Sequence, residues 1–388
     1  MSPSRFAADA LAEIAAAGLL RSTRRVDTPQ GAEILLDGQR VVNFSSNNSL
    51  DLAAHPALAL AAKRAIDDYG VGSGASRLIS GTVAPHVQLE AELADFLGRE
   101  QALLFSSGFQ ANTGVIPVLA GPGSVILSDA LNHASIIDGI RLSRAQRRIY
   151  PHNDIAALAE MLHAIPDATP VLVVTESLFS MAGDRGRLAE IVALRERRPF
   201  VLYVDEAHAL GATGPGGRGL VAQAGVEGSV DLLLGTLGKA FGVSGAFVAG
   251  SAPLIELILN RARSFIYTTA PLPAAAAAAH AALGLVRDGD TLRDRLAGNQ
   301  RVFRDRLAGF LPSPPAGCDH IVPVPCPGPE RVVAACAALL ERGIYCQAMR
   351  PPTVPPGSSC LRFCLSAGHS LAQLERAAVA LEHTLSQL

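Results

Sequence analysis

Lys239 sits in the run Gly235-Thr236-Leu237-Gly238-Lys239-Ala240-Phe241-Gly242-Val243-Ser244-Gly245, directly after an apolar, strand-like segment. A lysine set among glycines at such a place suits the covalent attachment of a cofactor. Upstream, Phe200-Val201-Leu202-Tyr203-Val204 runs straight into Asp205-Glu206-Ala207-His208, which puts an acid and an imidazole at the carboxyl end of a buried strand. An amine for a Schiff base and a carboxylate facing a pyridinium nitrogen are what pyridoxal 5'-phosphate requires of a protein. Lys239 and Asp205 together therefore suggest that cofactor.

Several weaker signals fall at the ends of other apolar runs. Ser107-Gly108-Phe109 closes one such run and precedes residues 110–120, a helix whose N-terminal amides can take a phosphate. His133, in Asn132-His133-Ala134-Ser135, reads equally as a ring stacked on a cofactor or as a structural histidine. Ser180 and Thr236 read as donors to the cofactor's phenolic oxygen or phosphate, or as caps on backbone. Asn153-Asp154 reads as a helix cap.

Two rival motifs fail on context. Asp-Glu-Ala-His at 205–208 is also an NTPase box, but that reading needs a phosphate loop. The sole Gly-Lys is Gly238-Lys239, which is followed by Ala240 and lacks the earlier glycine. Gly70-Val71-Gly72-Ser73-Gly74-Ala75 has dinucleotide-loop glycines, yet it follows a polar, helix-like segment instead of a strand.

The elements that must position these groups alternate brief apolar runs with amphipathic stretches, the pattern of an α/β fold with a largely parallel sheet. Strands are expected at 102–105, 125–127, 171–175, 200–204, 231–234 and 246–249. A crossover helix is expected over 188–198, where Leu188, Ile191, Val192 and Leu194 precede Arg195, Arg197 and Arg198. In open parallel sheets ligands bind beyond the carboxyl ends of strands, and those ends carry Ser106–Gln110, Ser128–His133, Glu176–Ser180, Asp205–His208 and Thr236–Lys239. The chain divides into an N-terminal arm (1–43), a large cofactor-binding domain (44–280) and a smaller α+β C-terminal domain (281–388). The last contains a Pro-rich stretch at 311–329 and a helix around 331–342.

With 388 residues and 49% apolar content, the chain can bury a large core. Its net charge of -2 gives no global attraction to nucleic acid or anionic membrane. Arg141, Arg144, Arg147 and Arg148 recur at near-helical spacing and read as a solvated helix face before a phosphate-carrier site. All 6 cysteines lie between Cys318 and Cys364 without a Cys-x-x-Cys spacing, so free thiols in a cytoplasmic protein are expected, with no metal site. Residues 10–20 contain Glu13 and do not read as a secretory signal. Pro271, Pro273 and His280 interrupt residues 270–286, which read as a helix at the domain junction and not as a membrane span.

Nearly the whole chain resembles the α-oxoamine synthase family of pyridoxal phosphate enzymes. The matching runs, in fixed order, are Gly72-Ser73-Gly74-Ala75-Ser76-Arg77-Leu78, Phe105-Ser106-Ser107-Gly108-Phe109, Asn132-His133-Ala134-Ser135-Ile136-Ile137-Asp138-Gly139, Ser180-Met181-Ala182-Gly183-Asp184 and Gly235 to Gly245. The resemblance implies a fold-type I transferase and a homodimer with active sites at the subunit interface. It implies Lys239 as the Schiff-base lysine, Asp205 at the pyridinium nitrogen and His133 stacked on the ring. Ser180, His208, Thr236, Gly108 and Phe109 would be further cofactor contacts. Arg21, Asn47, His133 and Thr353 match substrate-binding positions, Arg350 matches a carboxylate partner, and Thr268 and Thr269 lie in a segment that reaches the neighbouring subunit.

Arg350-Pro351-Pro352-Thr353-Val354-Pro355 is similar to the branch that condenses L-alanine with a pimeloyl thioester on acyl carrier protein or coenzyme A. Lys239 and His133 are the expected catalytic groups. Other branches join glycine to an acetyl donor or serine to a long-chain donor, and a non-catalytic interaction subunit is the alternative of another class. The chain departs from the family where Asn47-Asn48-Ser49-Leu50-Asp51-Leu52 replaces Asn-Asp-Tyr-Leu-Gly-Leu, and where Ala209-Leu210-Gly211 replaces Gly-Thr-Gly. Both changes bear on acyl-substrate recognition.

Overall fold

The computed structural model of the protein describes residues 3–309, 319–351 and 353–387. Cys318, Pro352 and the part of the Pro-rich stretch up to residue 318 lie outside them. A seven-stranded sheet forms the centre, in the order Gln101–Phe105, Ala246–Gly250, Leu232–Thr236, Val201–Asp205, Val171–Glu176, Val125–Asp129 and Gln146–Tyr150. Its pairs are parallel except at Ala246–Gly250, which runs antiparallel to both neighbours. That exception has a simple origin. Residues 237–245 join two adjacent strands with no crossover helix, and so short a link can only return the chain antiparallel.

Strand residues alternate between two cores, as the two-residue period requires when both faces are covered. Leu103, Ile126, Leu172, Val174, Tyr203, Leu232 and Leu234 pack with Val115, Ile116, Ile136, Ile140, Ile255 and Ile258 on one face. Leu104, Val125, Leu127, Val173, Leu202, Val204 and Leu233 pack with Leu89, Leu93, Leu158, Leu162 and Ile191 on the other. The six expected strands are all present, within one or two residues of their expected ends.

One reading from the arginine spacing is corrected. The helix Ala134–Ser143 ends before Arg144, which takes a left-handed φ of 58°. Arg147 and Arg148 then lie in the edge strand Gln146–Tyr150. An edge strand with one face towards water needs few apolar residues, so its arginines hid it.

A second, antiparallel sheet contains Ile321–Pro325, Cys360–Cys364 and Gln347–Met349, with Cys360–Cys364 in the middle. The helices Asp290–Leu307 and Leu371–Gln387 pack against each other in this part of the molecule, where Phe303, Leu307, Leu374 and Leu381 join Phe363 in the core. Near the N-terminus, the hairpin Glu33–Leu36 and Gln39–Asn43 pairs in parallel with Ile344–Tyr345. The five described cysteines are free. No described helix is long and apolar enough to cross a membrane.

Candidate functional site

The site is assembled from the carboxyl ends of adjacent strands. Glu176 and Asp205 are direct partners in the parallel ladder between Val171–Glu176 and Val201–Asp205. Asp205 is buried, and each carboxylate oxygen has one donor: Asn112 Nδ2 reaches Oδ2 and the Ala207 N–H reaches Oδ1, both at 2.9 Å. Such a group is held in one orientation, with lone pairs left for a further donor. Glu176 accepts the His133 N–H at 2.6 Å. Burial and the neighbouring Asp205 charge push the Glu176 carboxyl up to about 8.

Lys239 follows the strand Leu232–Thr236 in a tight turn. The Leu237 N–H donates to Gly245 O, the Val243 N–H to Leu237 O and the Gly242 N–H to Lys239 O, at 2.8 to 2.9 Å. Gly242 has a φ of +70°, and a Cβ there would overlap the backbone of Leu52 and Ala53, so glycine is required. Burial lowers the half-buried Lys239 amine to about 8 although Asp205 and Glu176 pull the other way; the Arg362 charge adds to the lowering. A substantial neutral fraction near physiological pH follows.

His133 caps the helix Ala134–Ser143, its Nδ1 accepting from the Ser135 N–H at 3.2 Å. Loss of hydration lowers its pKa against the pull of Asp205, and the Lys239 charge lowers it further. His208 is buried three residues beyond the strand end at Asp205. Burial, followed by the charges of Lys239 and Arg362, holds its pKa well below the usual imidazole value, so it is neutral. Thr236 donates to Ala207 O at 3.2 Å.

Gly108 begins the helix Gly108–Leu119, whose N-cap Ser107 accepts from the Gln110 N–H at 3.1 Å. A Cβ on Gly108 would stand 2.9 Å from Thr236 Cγ2. This helix N-terminus therefore packs directly on the strand that delivers Lys239. Phe109 is exposed beside it. The free amides of a helix N-terminus suit a phosphate, so the donor set fits a phosphorylated pyridine aldehyde: amine, carboxylate and anion-binding amides.

Ser180 is buried on a turn secured at three points. Arg362 Nε donates to Ser180 O at 2.7 Å. Arg185 pairs bidentately with Asp319 at 2.7 and 2.8 Å, while the Asp319 N–H reaches Gly183 O. His152 bridges Asp129 (Nδ1, 2.8 Å) and Asp184 (Nε2, 2.7 Å), edge-on to Phe179. Burial alone would depress the His152 pKa, but hydrogen bonds and charges from both aspartates raise it to about 9. The expected cap next to it is present: Asp154 accepts from the Ala157 N–H at 2.9 Å.

The remaining candidates gather elsewhere. Arg350 donates to Gly18 O at 2.5 Å and Leu20 O at 2.9 Å, anchoring the segment that carries Arg21. The Thr353 N–H closes the turn onto Arg350 O. Thr269 pairs with Ser76 in an isolated bridge, and Thr268 precedes it. Asn47 is nearer the lysine's surroundings, its Oδ1 accepting from Arg362 Nη2 at 3.4 Å.

Sequence reasoning missed Arg362 and Asn112, and gave Ser135, Tyr203 and Glu176 no role. Arg362 had a legible signal, a lone arginine inside the apolar run Cys360-Leu361-Arg362-Phe363-Cys364. A buried cation in a strand calls for a partner or a function. Among the described residues no group of histidine, cysteine and carboxylate side chains could hold a metal ion.

The sequence model of the family described as aminotransferase class I and II matches residues 39–381. An 8-amino-7-oxononanoate synthase of Geobacter sulfurreducens is 48% identical over 382 residues, covering 97% of both chains. Among solved structures, a serine palmitoyltransferase of S. paucimobilis with bound PLP-myriocin superposes with a TM-score of 0.94 at 30% identity, covering 100% of this chain and 99% of that one. An 8-amino-7-oxononanoate synthase from Francisella tularensis gives 0.78 at 29% identity, covering 90% and 99%.

Proposed function

The chain belongs to the aminotransferase class I and II family, and we propose on that footing that it is a fold-type I, pyridoxal phosphate-dependent 8-amino-7-oxononanoate synthase. It condenses L-alanine with a pimeloyl thioester, releasing carbon dioxide and the free thiol. The observation that carries the reading is a lysine on the turn after Leu232–Thr236, next to the strand that ends in Asp205, itself paired with Glu176, with the helix N-terminus at Gly108 packed on Thr236, on a chain similar over 97% of its length to a synthase of that activity.

Pyridoxal phosphate, when bound, supplies an electron sink for the pair left at the amino acid's Cα. Lys239 would hold its aldehyde carbon, Asp205 the ring nitrogen, and the N-terminal amides at Gly108 and Phe109 the phosphate, with Ser180, His208 and Thr236 as further contacts. The chain's own chemistry then follows from its charges. Released as a free amine, Lys239 is basic enough to take the Cα proton and is neutral often enough to do so. Arg362, fixed to Ser180 O and next to Lys239 in charge, would hold the alanine carboxylate. His133 would donate to the thioester carbonyl oxygen as negative charge develops there. Lys239 would return the proton after carbon dioxide leaves. Arg21, Asn47, Thr353 and Arg350 would serve the acyl donor, Arg350 by anchoring the arm.

The reading includes a homodimer in the cytoplasm, with Thr268 and Thr269 serving the neighbouring site. Ile79 (80% exposed), Tyr267 (72%) and Val71 (69%) are large apolar side chains left bare within five residues, along the chain, of the Ser76–Thr269 bridge, and an exposed apolar patch favours burial in an interface. The test is a mass-spectrometric product assay with L-alanine and pimeloyl thioesters of coenzyme A and acyl carrier protein. Glycine with acetyl coenzyme A and serine with a long-chain donor run in parallel. Alanine-dependent 8-amino-7-oxononanoate is the expected product. Turnover in another arm alone reassigns the substrate, and a protein that takes up no pyridoxal phosphate is a non-catalytic subunit.

A further inference from the structure

Behind the site lies a buried polar chain whose hydrogen-bond directions are all determined. Tyr203 donates its hydroxyl to Asn112 Oδ1 at 2.7 Å. Asn112 Nδ2 has two hydrogens, and each has an acceptor: Asp205 Oδ2 and Ser135 Oγ, both at 2.9 Å. The reverse amide orientation would set Asn112 Oδ1 against the Asp205 carboxylate, so the assignment is fixed by the partners. Ser135 Oγ accepts from Asn112 with one lone pair, which holds the hydroxyl 2.7 Å from His133 Nδ1 with its own hydrogen free to donate there. The Ser135 N–H points at the same nitrogen. Nδ1 thus faces two donors and must be the unprotonated nitrogen, which leaves the proton of a neutral ring on Nε2. Tyr203, Asn112 and Ser135 are each at most 1% exposed, so water does not compete for these bonds.

We propose that Asn112 is a positioning residue that serves two partners at once: it holds Asp205 in place for the cofactor nitrogen and, through Ser135, fixes His133 as the Nε2–H tautomer that donates to the substrate carbonyl oxygen. The last step rests on the reading given under Proposed function. Asn112 is 1% exposed and its side chain is bonded to Tyr203, Asp205 and Ser135, so its effect passes through Asp205 and His133. The two limbs are separable, because Ser135 contacts His133 and not Asp205.

The test uses holoenzyme labelled with [15N]histidine, read by two-bond proton–nitrogen correlation near neutral pH, together with pyridoxal phosphate affinity and steady-state kinetics. Wild type is expected to show His133 protonated on Nε2 alone. Ser135→Ala removes the shorter of the two bonds to Nδ1 and keeps the backbone one, so it should let the Nδ1–H tautomer appear beside the Nε2–H form and lower kcat about 10-fold with cofactor affinity unchanged, the effect of one preplaced donor weakened. Asn112→Ala should mix the tautomers, lower kcat further and also weaken cofactor binding about 10-fold, since Asp205 loses a charge-assisted bond. KM for alanine should stay within about 2-fold in both. A wild-type His133 protonated on Nδ1, or an Asn112→Ala enzyme with the tautomer and cofactor affinity of wild type, overturns the proposal. If Asn112→Ala does not fold, the Ser135→Ala tautomer decides it. A correct tautomer pattern in a protein that makes no 8-amino-7-oxononanoate would leave the positioning intact and refute the functional reading.

Discussion

The bridge from Asp129 through His152 to Asp184 makes a quantitative prediction about stability against pH. His152 has an ordinary pKa of 6.5 and is raised to about 9 in the fold. Its side chain is 24% exposed and those of Asp129 and Asp184 are 1% and 11% exposed, so solvent screening is modest. At about 1.4 kcal/mol per tenfold change in proton affinity, the raised pKa corresponds to about 3 kcal/mol. The sign follows from where the proton stays. Below pH 6.5 both folded and unfolded chains hold it, and the full contribution is present. Between 6.5 and about 9 only the folded chain does, so stability falls with rising pH by about 1.4 kcal/mol per pH unit.

Other groups titrate in this window, Lys239 and Glu176 among them, so the wild-type curve alone is not diagnostic. The difference between wild type and His152→Gln isolates the bridge. In the variant Asp129 keeps its bonds from the Leu131 and Asn153 N–H groups, and Asp184 keeps Asn153 Nδ2. Urea unfolding of both proteins from pH 6 to 9.5 should give a wild-type advantage that is constant at the acid end and shrinks by about 3 kcal/mol towards the alkaline end. Parallel curves across the range would refute the assignment of a charged His152.

Gly242→Ala should destabilise by about 1–3 kcal/mol, because the new Cβ meets backbone at residues 52 and 53 and φ is positive; denaturant unfolding reads it, and unchanged stability would mean that the Lys239 turn is not rigid. Arg362→Lys should raise KM for alanine about 10-fold or more with less effect on the acyl donor, since an ammonium cannot bond Ser180 O and Asn47 as the planar guanidinium does while also meeting a carboxylate. Arg350→Ala removes two bonds to the carbonyls of Gly18 and Leu20. Hydrogen exchange should then accelerate in residues 3–25 and stay unchanged in the central sheet.

The parts of the site legible in the sequence are those that a strand end announces. Lys239, Asp205 and His208 follow committed apolar runs, and in a parallel sheet the end of a strand is where a ligand lies. Topology does the rest without further information. Strand Gln146–Tyr150 was illegible because an edge strand with Arg147 and Arg148 carries no apolar alternation. Asn112 was illegible for a different reason: its place is defined by partners 23, 91 and 93 residues away in the chain.

Those three separations show how the fold ties catalysis to packing. Asn112 sits on a helix that contributes Ala111, Val115 and Ile116 to the core on the same sheet face as Tyr203. The helix is pressed onto the sheet by these apolar neighbours, and the amide is carried with them. A residue two positions along would lie on another side of the helix, out of reach of Asp205. The apolar packing of Gly108–Leu119 therefore sets the orientation of the carboxylate at the end of Val201–Asp205. A core substitution such as Val115→Ala should accordingly weaken pyridoxal phosphate binding as well as stability. Loss of stability with unaltered cofactor affinity would separate the two and refute that coupling.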